Sequence, residues 1–483
     1  MIVPLAVLAQ VLLGQQTSDS SRTNVLLYLI DTLRADHLQP WGYQRNTSAT
    51  IRQVAESGVL FKRCFSQGPW TKPSVNSIHT SLYPSVSNVR QIFDRMPTAR
   101  TTLAEALKDA GYQTAAFSAN PIFGMLSNLR QGFETFCEAT EVIKNGDPIH
   151  FASGSSRELN KKVLPWLRQR DRTRPFFVCI HSVDPHEEYA PESPFGELWV
   201  KPAERQQFET SWTKLKNLHP YFPALRTTRE EARAHAVDPE WFSAVAQGLY
   251  DGDIAFNDDQ LARVLETLES EGDLEHTLIV ITADHGEEFF DHDGTSHGFS
   301  LYNELLNVPL IFSLPDRIRE GETVTEPVAS IDIAPTILAL VGAAPLPEAQ
   351  GQSMAAFLLG EKDEPPHGPI FAENYDTPEG SGLGSMSMGC TSMVISGRHK
   401  LIFTGSAPST TNPPKYQLFD LADDFHETKN LAAAQPARVA ALEKILLEWS
   451  ADNLKRANAG ESVAREKVDP AILERLRELG YIK

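Results

Sequence analysis

The chain has 483 residues, 41% of them hydrophobic, enough to bury a large core in two or three domains. Asp plus Glu outnumber Lys plus Arg by 63 to 44, and the formal net charge of −19 repels nucleic acid and anionic membranes at long range. No internal repeat or low-complexity tract stands out, which excludes solenoids and propellers.

The N-terminal run MIVPLAVLAQVLLGQQTSDSS is apolar, then polar. It has the form of a signal-peptide core and linker, is too short to span a bilayer comfortably, and implies export. The expected organisation is residues 1–23 as signal and linker, 24–385 as a catalytic domain and 386–483 as a C-terminal subdomain. No second candidate membrane segment follows, so no integral membrane span is expected in the mature chain.

NVLLYLID, from Asn24 to Asp31, is an apolar run ending in a carboxylate, the pattern of a strand buried on both faces. SATIRQVAESG reads as a helix closed by Gly58, and GVLFKRCF as a second strand. GPWTKPSVNS follows, where Thr-x-Pro-Ser has the chemistry of a helix start; alone, Thr71 reads as a cap. TLAEALKDAG (helix), YQTAAFSA (strand), SSRELNKKVLPWLRQR (helix, with Pro165 inside) and PFFVCIHSVD (strand) continue the alternation. Residues 191–238 are Pro-, aromatic- and charge-rich without a clear period, and read as an irregular insertion over the sheet edge. A long helix carries Leu261, Val264, Leu265 and Leu268 on one face, and HTLIVITADHG is the most convincing strand. VPLIFSLP, a helix SIDIAPTILALVG and a strand GPIFAE come next. TSMVISG, HKLIFTG and KYQLFDL are short strands, finished by a helix ARVAALEKILLEWSA. The expected fold is therefore α/β: a large, mostly parallel sheet with helices on both faces, plus a small C-terminal antiparallel α+β subdomain. The four cysteines, Cys64, Cys137, Cys179 and Cys390, are far apart and signal neither a zinc ribbon nor a disulfide framework.

In open parallel sheets ligands bind beyond the carboxyl ends of the strands. Four strands deliver chemistry to that edge: Asp31; Thr71; His181, Asp184 and His186; and Asp284 and His285, followed by His292 and His297. Asp31 alone reads as a solvated loop acid, His181 as a hydrogen-bonded core histidine and Asp184-Pro-His186 as a turn. The adjacent Asp284-His285 at the end of an apolar strand suits metal ligation. Glu287, Glu288, Asp291 and Asp293 crowd the same loop and read mostly as a solvated acidic edge.

TADHGEEFFDHDGTSHGFSLYNE resembles the metal-binding segment of the sulfatases, within the alkaline phosphatase superfamily. NVLLYLIDTLRADHL, GVLFKRCFSQGPWTKPSVNSIHTSLYP, FFVCIHSVDPHEEYAP and the C-terminal YQLFDLADDFHETKNL and LERLRELGYI resemble further family landmarks in order, covering nearly the whole chain from Asn24. The resemblance implies hydrolysis of sulfate esters. It implies a nucleophile at Thr71, one divalent cation (calcium or manganese, with zinc as a third option) on Asp31, Thr71, Asp284 and His285, and His297 and His186 as catalytic groups. Lys72, Asn120, His181 and Asp184 would contact the substrate. The chain departs from the family motif where Val75 replaces its Arg, and at Thr71 itself. A threonine carries a methyl on its β-carbon, so oxidation cannot yield the family's formylglycine aldehyde, and none is expected here. The departures leave three readings: a sulfate esterase attacking through Thr71, a phosphodiester or phosphonate esterase or phosphoryl-head-group transferase using the same site, and a non-catalytic anion- or glycan-binding relative. The implied partner is a small-molecule or glycan sulfate or phosphate ester.

Overall fold

The structure, a computed structural model, describes residues 23–458 apart from 125, 139–154, 217, 219–226, 376–389 and 406–414. The apolar N-terminal run, the expected boundary at 386 and the closing LERLRELGYI lie outside the described residues. The strands are β1 (Asn24–Ile30), β2 (Val59–Phe65), β3 (Gln113–Ser118), β4 (Thr135–Glu138), β5 (Phe176–Ser182), β6 (Thr277–Ala283), β7 (Glu288–Phe289), β8 (Thr295–Ser296), β9 (Asn307–Ser313), β10 (Glu322–Val324), β11 (Val328–Ala329), β12 (Ile370–Tyr375), β13 (Cys390–Ser396), β14 (His399–Gly405) and β15 (Lys415–Asp420).

The main sheet runs β10-β2-β9-β6-β1-β5-β3-β4, with β11 also paired to β2. Only β9 runs antiparallel to its neighbours, β2 and β6. Every residue of β1, β5, β6 and β9 is buried. That follows from their unbroken apolar runs, which need cover on both faces. The helices Ala49–Glu56 and Ser156–Gln169 pack on the long helix Pro239–Ser270, while Thr71–Thr80 and Leu103–Asp109 pack on Ile333–Leu340.

Register decides what meets at the carboxyl edge. Ile30 stands beside both Ala283 of β6 and Ser182 of β5, so the residues that follow, Asp31 and Asp284, emerge next to one another. Ser118 of β3 stands beside His181 of β5, which brings the β3 loop to the same place.

Two expectations need correction. The strand GPIFAE does not belong to the main sheet: β12 pairs antiparallel with β13 and opens a second sheet of order β12-β13-β14-β15. The insertion is not irregular throughout, because it contains the helices Pro202–Lys216 and Arg229–Ala234. In the first, Phe208, Trp212 and Leu215 at i, i+4 and i+7 are buried, a stripe obscured in the sequence by the charges around it.

The second sheet is locked to the first part by a buried polar network and a shared apolar core, in which Phe65 and Leu306 join Met393 and Leu401. Lys400 Nζ lies 2.7 Å from Glu427 Oε1 and 2.9 Å from Asn303 Oδ1. The Asn303 amide donates to Glu427 Oε2 at 2.6 Å. Burial draws Lys400 below its ordinary pKa despite Glu427, and pushes Glu427 up. Removing one partner of such a pair strands the other charge. Lys400→Met should therefore cost about 3–5 kcal/mol in urea unfolding, and adding Glu427→Gln, which keeps an acceptor for Asn303, should recover most of it.

His292 sits at the same junction, stacked on Tyr302 with centroids 3.6 Å apart and Nδ1 2.7 Å from Glu304. Burial opposes its charge, but the Glu304 hydrogen bond and charge outweigh burial and raise it to about 9. A histidine raised in the folded state stabilises fully below its unfolded pKa of about 6.5, and that contribution fades as pH climbs through 9. The stability gap between wild type and His292→Gln should be widest near pH 6 and close by about pH 10.

Candidate active site

Thr71 is the first residue of its helix, not the cap: the cap position is Trp70, with extended backbone and no side-chain hydrogen bond. The Thr71 hydroxyl instead lies 3.5 Å from Asp31 Oδ1 and 3.3 Å from His285 Nε2. Ser74, one turn on, binds the Asp284 carbonyl and Ser66, pinning the helix start against β6. The whole helix is buried, so its start is shielded from bulk water.

Asp31, His181, Asp284 and His285 are fully buried. His285 Nε2 is 3.5 Å from both Asp31 Oδ1 and Asp284 Oδ2. His181 Nε2 is 3.7 Å from Asp31 Oδ2 and 3.9 Å from Asp284 Oδ2. Asp284 Oδ1 accepts from the amides of Thr32 at 3.1 Å and His285 at 2.8 Å. The His285 Nδ1 edge meets the Gly286 carbonyl at 2.9 Å, so Nε2 is left with its lone pair toward Thr71.

Burial would raise Asp31, but His186, His181, His285 and the Asn120 amide hold it below the ordinary carboxylate value. Asp284 goes the other way, driven well up by burial and by Asp31. Burial takes His181 down to about 4 and, with His297, holds His285 well below its usual value.

This donor set fits a divalent cation. One atom each from Asp31, His181 and Asp284 lies within 4.8 Å of the others. His181 Nε2 and Asp284 Oδ2 are buried without a hydrogen-bond partner among the described residues. Two carboxylates and imidazole nitrogens around orphaned atoms are donors that suit a divalent cation.

His186 and His297 are buried beside this floor, 8% and 7% exposed. Their rings are 5.0 Å apart, and His297 is 4.5 Å from His285. The four expected substrate contacts are redirected. Lys72 turns away, its ammonium bound to the carbonyls of Ile92 and Leu126 and lowered to about 7 by burial. Asp184 caps the helix Ser156–Gln169 through the Ser156 amide and hydroxyl, both at 2.7 Å. Asn120 donates to Asp31 Oδ2 at 2.8 Å, so it orients the acid. His181 faces the carboxylates, with Nδ1 3.2 Å from the Ser118 hydroxyl.

Sequence reading missed Glu287. It is fully buried, with Oε1 3.1 Å from His297 Nδ1, and Glu288 is buried too, so the acidic edge is in part interior. The available signal was the apolar Phe289-Phe290 pair behind the two acids.

Residues 23–343 match the family model described as Sulfatase, and residues 292–451 match the one described as N-sulphoglucosamine sulphohydrolase, C-terminal. The chain belongs to the sulfatase family. Sulfatases are sulfuric ester hydrolases with the alkaline phosphatase superfamily fold. This sulfatase is 25% identical over 461 residues to arylsulfatase K of Gallus gallus, covering 88% of this chain and 82% of that one. It is 24% identical over 456 residues to a Delta 4,5-hexuronate-2-O-sulfatase of Bacteroides thetaiotaomicron, covering 87% of each. The solved structure of the phosphonate monoester hydrolase of Agrobacterium radiobacter shares its fold, with a TM-score of 0.71 at 22% identity over 90% of this chain and 96% of that one.

Asp284→Asn should lower the metal content measured on the purified protein by elemental analysis. Its rate should fall further than the roughly 10–100-fold typical of outer-shell changes. His181→Ala should lower metal content as well, and unchanged metal in both variants would refute the donor set.

Proposed function

We propose that this sulfatase hydrolyses sulfate esters by attack of the Thr71 hydroxyl on sulfur. The observation that carries this reading is the position of Thr71 Oγ1, within 3.5 Å of Asp31 and His285 at a buried helix start. Asp31, Asp284, His285 and Thr71 would hold the divalent cation, with His181 as a further donor. When bound, that cation lowers the pKa of a coordinated hydroxyl and offsets the negative charge of the ester oxygens.

Thr71 Oγ1 forms the bond to sulfur and loses its proton to the acid–imidazole floor. The bond from sulfur to the leaving oxygen breaks, and that oxygen takes a proton from His297. Helix N-terminal amides and His186, whose positive form is favoured by Asp31, Glu187 and Glu287 against burial, receive the anionic oxygens. Water then attacks sulfur, giving its proton to His297, and Thr71 departs with its hydroxyl restored. The steps balance without an aldehyde.

A phosphonate monoester or phosphodiester is the second reading. It is favoured by the threonine itself, which cannot supply an aldehyde, and by the fold shared with a phosphonate monoester hydrolase. Val75 is buried in the apolar core and Lys72 points away, so two positions beside the nucleophile bring no cation to the ester. Imidazoles and helix amides suit a monoanionic ester better than a dianionic phosphate monoester. Glycan sulfates are the substrate class suggested by the named relative that acts on a hexuronate. The apolar run at residues 2–13 supports export.

Thr71→Val, which keeps the shape and removes the hydroxyl, should cost on the order of 10³-fold or more in kcat with little change in Tm. The substrates to use are sulfate, phosphonate and phosphodiester versions of one aryl leaving group. A variant that keeps full activity would leave Thr71 with only a structural role.

A further inference from the structure

The step at the leaving oxygen needs a histidine held in one orientation with one ring nitrogen free. The geometry points to Glu287 as the positioning residue that does this for His297. This rests on the reading of His297 given above and goes beyond it.

Three features place Glu287. The short hairpin pairs Glu288 with Ser296 and Phe289 with Thr295, and the same register continued by one residue sets Glu287 opposite His297. The chain entering the hairpin is tightly fixed: the Gly286 amide donates to the Leu305 carbonyl at 2.8 Å, and a β-carbon at 286 would lie 1.9 Å from the Glu304 carbonyl oxygen. Only glycine permits that approach. The Glu287 carbonyl accepts from Arg34 at 3.0 Å, and Arg34 is itself clamped by Asp36 and Asp291.

The result is a fully buried carboxyl group 3.1 Å from His297 Nδ1. With Nδ1 engaged, Nε2 on the opposite edge of the ring is the nitrogen left for the ester, and the rings of His285 and His186 flank it. Glu287 and His297 together share two protons, one between Oε1 and Nδ1 and one on Nε2. When the bond from sulfur to the leaving oxygen breaks, its electron pair stays on that oxygen, which takes the Nε2 proton. The remaining proton settles on Nδ1, facing the Glu287 carboxylate. No co-reactant is required.

The test is the dependence of rate on leaving group. Wild type, Glu287→Gln and Glu287→Ala are assayed in their metal-loaded forms on aryl esters running from acidic nitrophenols to unactivated phenols. A nitrophenolate leaves without help, whereas an unactivated phenolate needs the proton. Glu287→Ala should lose on the order of 10²-fold in kcat/KM on unactivated phenols and only a few-fold on the most acidic one. Glu287→Gln, whose amide oxygen still accepts from Nδ1, should fall between wild type and Glu287→Ala, with metal content unchanged. Uniform loss across the series in Glu287→Gln, or a slope equal to wild type, overturns the proposal; this isosteric variant decides the matter even if Glu287→Ala fails to fold. A wild type that turns over no member of the series removes the underlying reading, and the proposal with it.

Discussion

Two buried carboxylates that the sheet forces together set the terms for everything around them. Asp31 and Asp284 follow adjacent parallel strands in register, and neither has water to shield it. Their repulsion in a low-dielectric interior is large, and Asp284 responds by holding its proton well above the ordinary range. A divalent cation would relieve that repulsion, and the orphaned nitrogen of His181 and oxygen of Asp284 are donors that would suit it. The placement of Thr71 follows from the same constraint. Its helix starts where Ser74 can bind the Asp284 carbonyl, which leaves the threonine hydroxyl beside the acids.

Around this floor the protein uses rigid backbone to aim soft groups. Asn120 fixes Asp31, the amides of Thr32 and His285 fix Asp284, and the Gly286 carbonyl fixes His285. Thr32 shows the cost: a β-branched residue with φ of 56°, in a region L-residues avoid, held by Tyr250 at its carbonyl and Asp284 at its amide. The imidazoles of His186 and His297, 5.0 Å apart, are slightly less buried than the acids and imidazoles of the floor.

Much of the fold was legible because fully buried strands leave unbroken apolar runs, and each such run in β1, β5 and β6 ended in the polar residues that build the site. The alternation with helices then fixed the sheet edge where those residues meet. Partnerships of long polar side chains were not legible. Lys72 follows Thr71 in sequence but leaves on another side of the helix, and Asp184 reads as a site residue yet gives its Oδ2 to a helix start. His181 looked like a substrate contact because alternation along β5 does not say which neighbours lie across the sheet. Glu287 was hidden by its company: in a run of acids the sequence does not distinguish the interior one from those facing water. The sheet to which the GPIFAE strand belongs was not legible, because a short apolar run carries no information about its partner.

The most direct measurement is anomalous diffraction from crystals of the manganese-loaded protein. A single strong peak bonded to Asp31, His181, Asp284 and His285, with Thr71 Oγ1 in its coordination shell, is the expected result. A peak elsewhere, or a shell at these acids that leaves Thr71 outside it, would contradict the claim that the buried acids and the threonine hydroxyl form one metal-assembled centre.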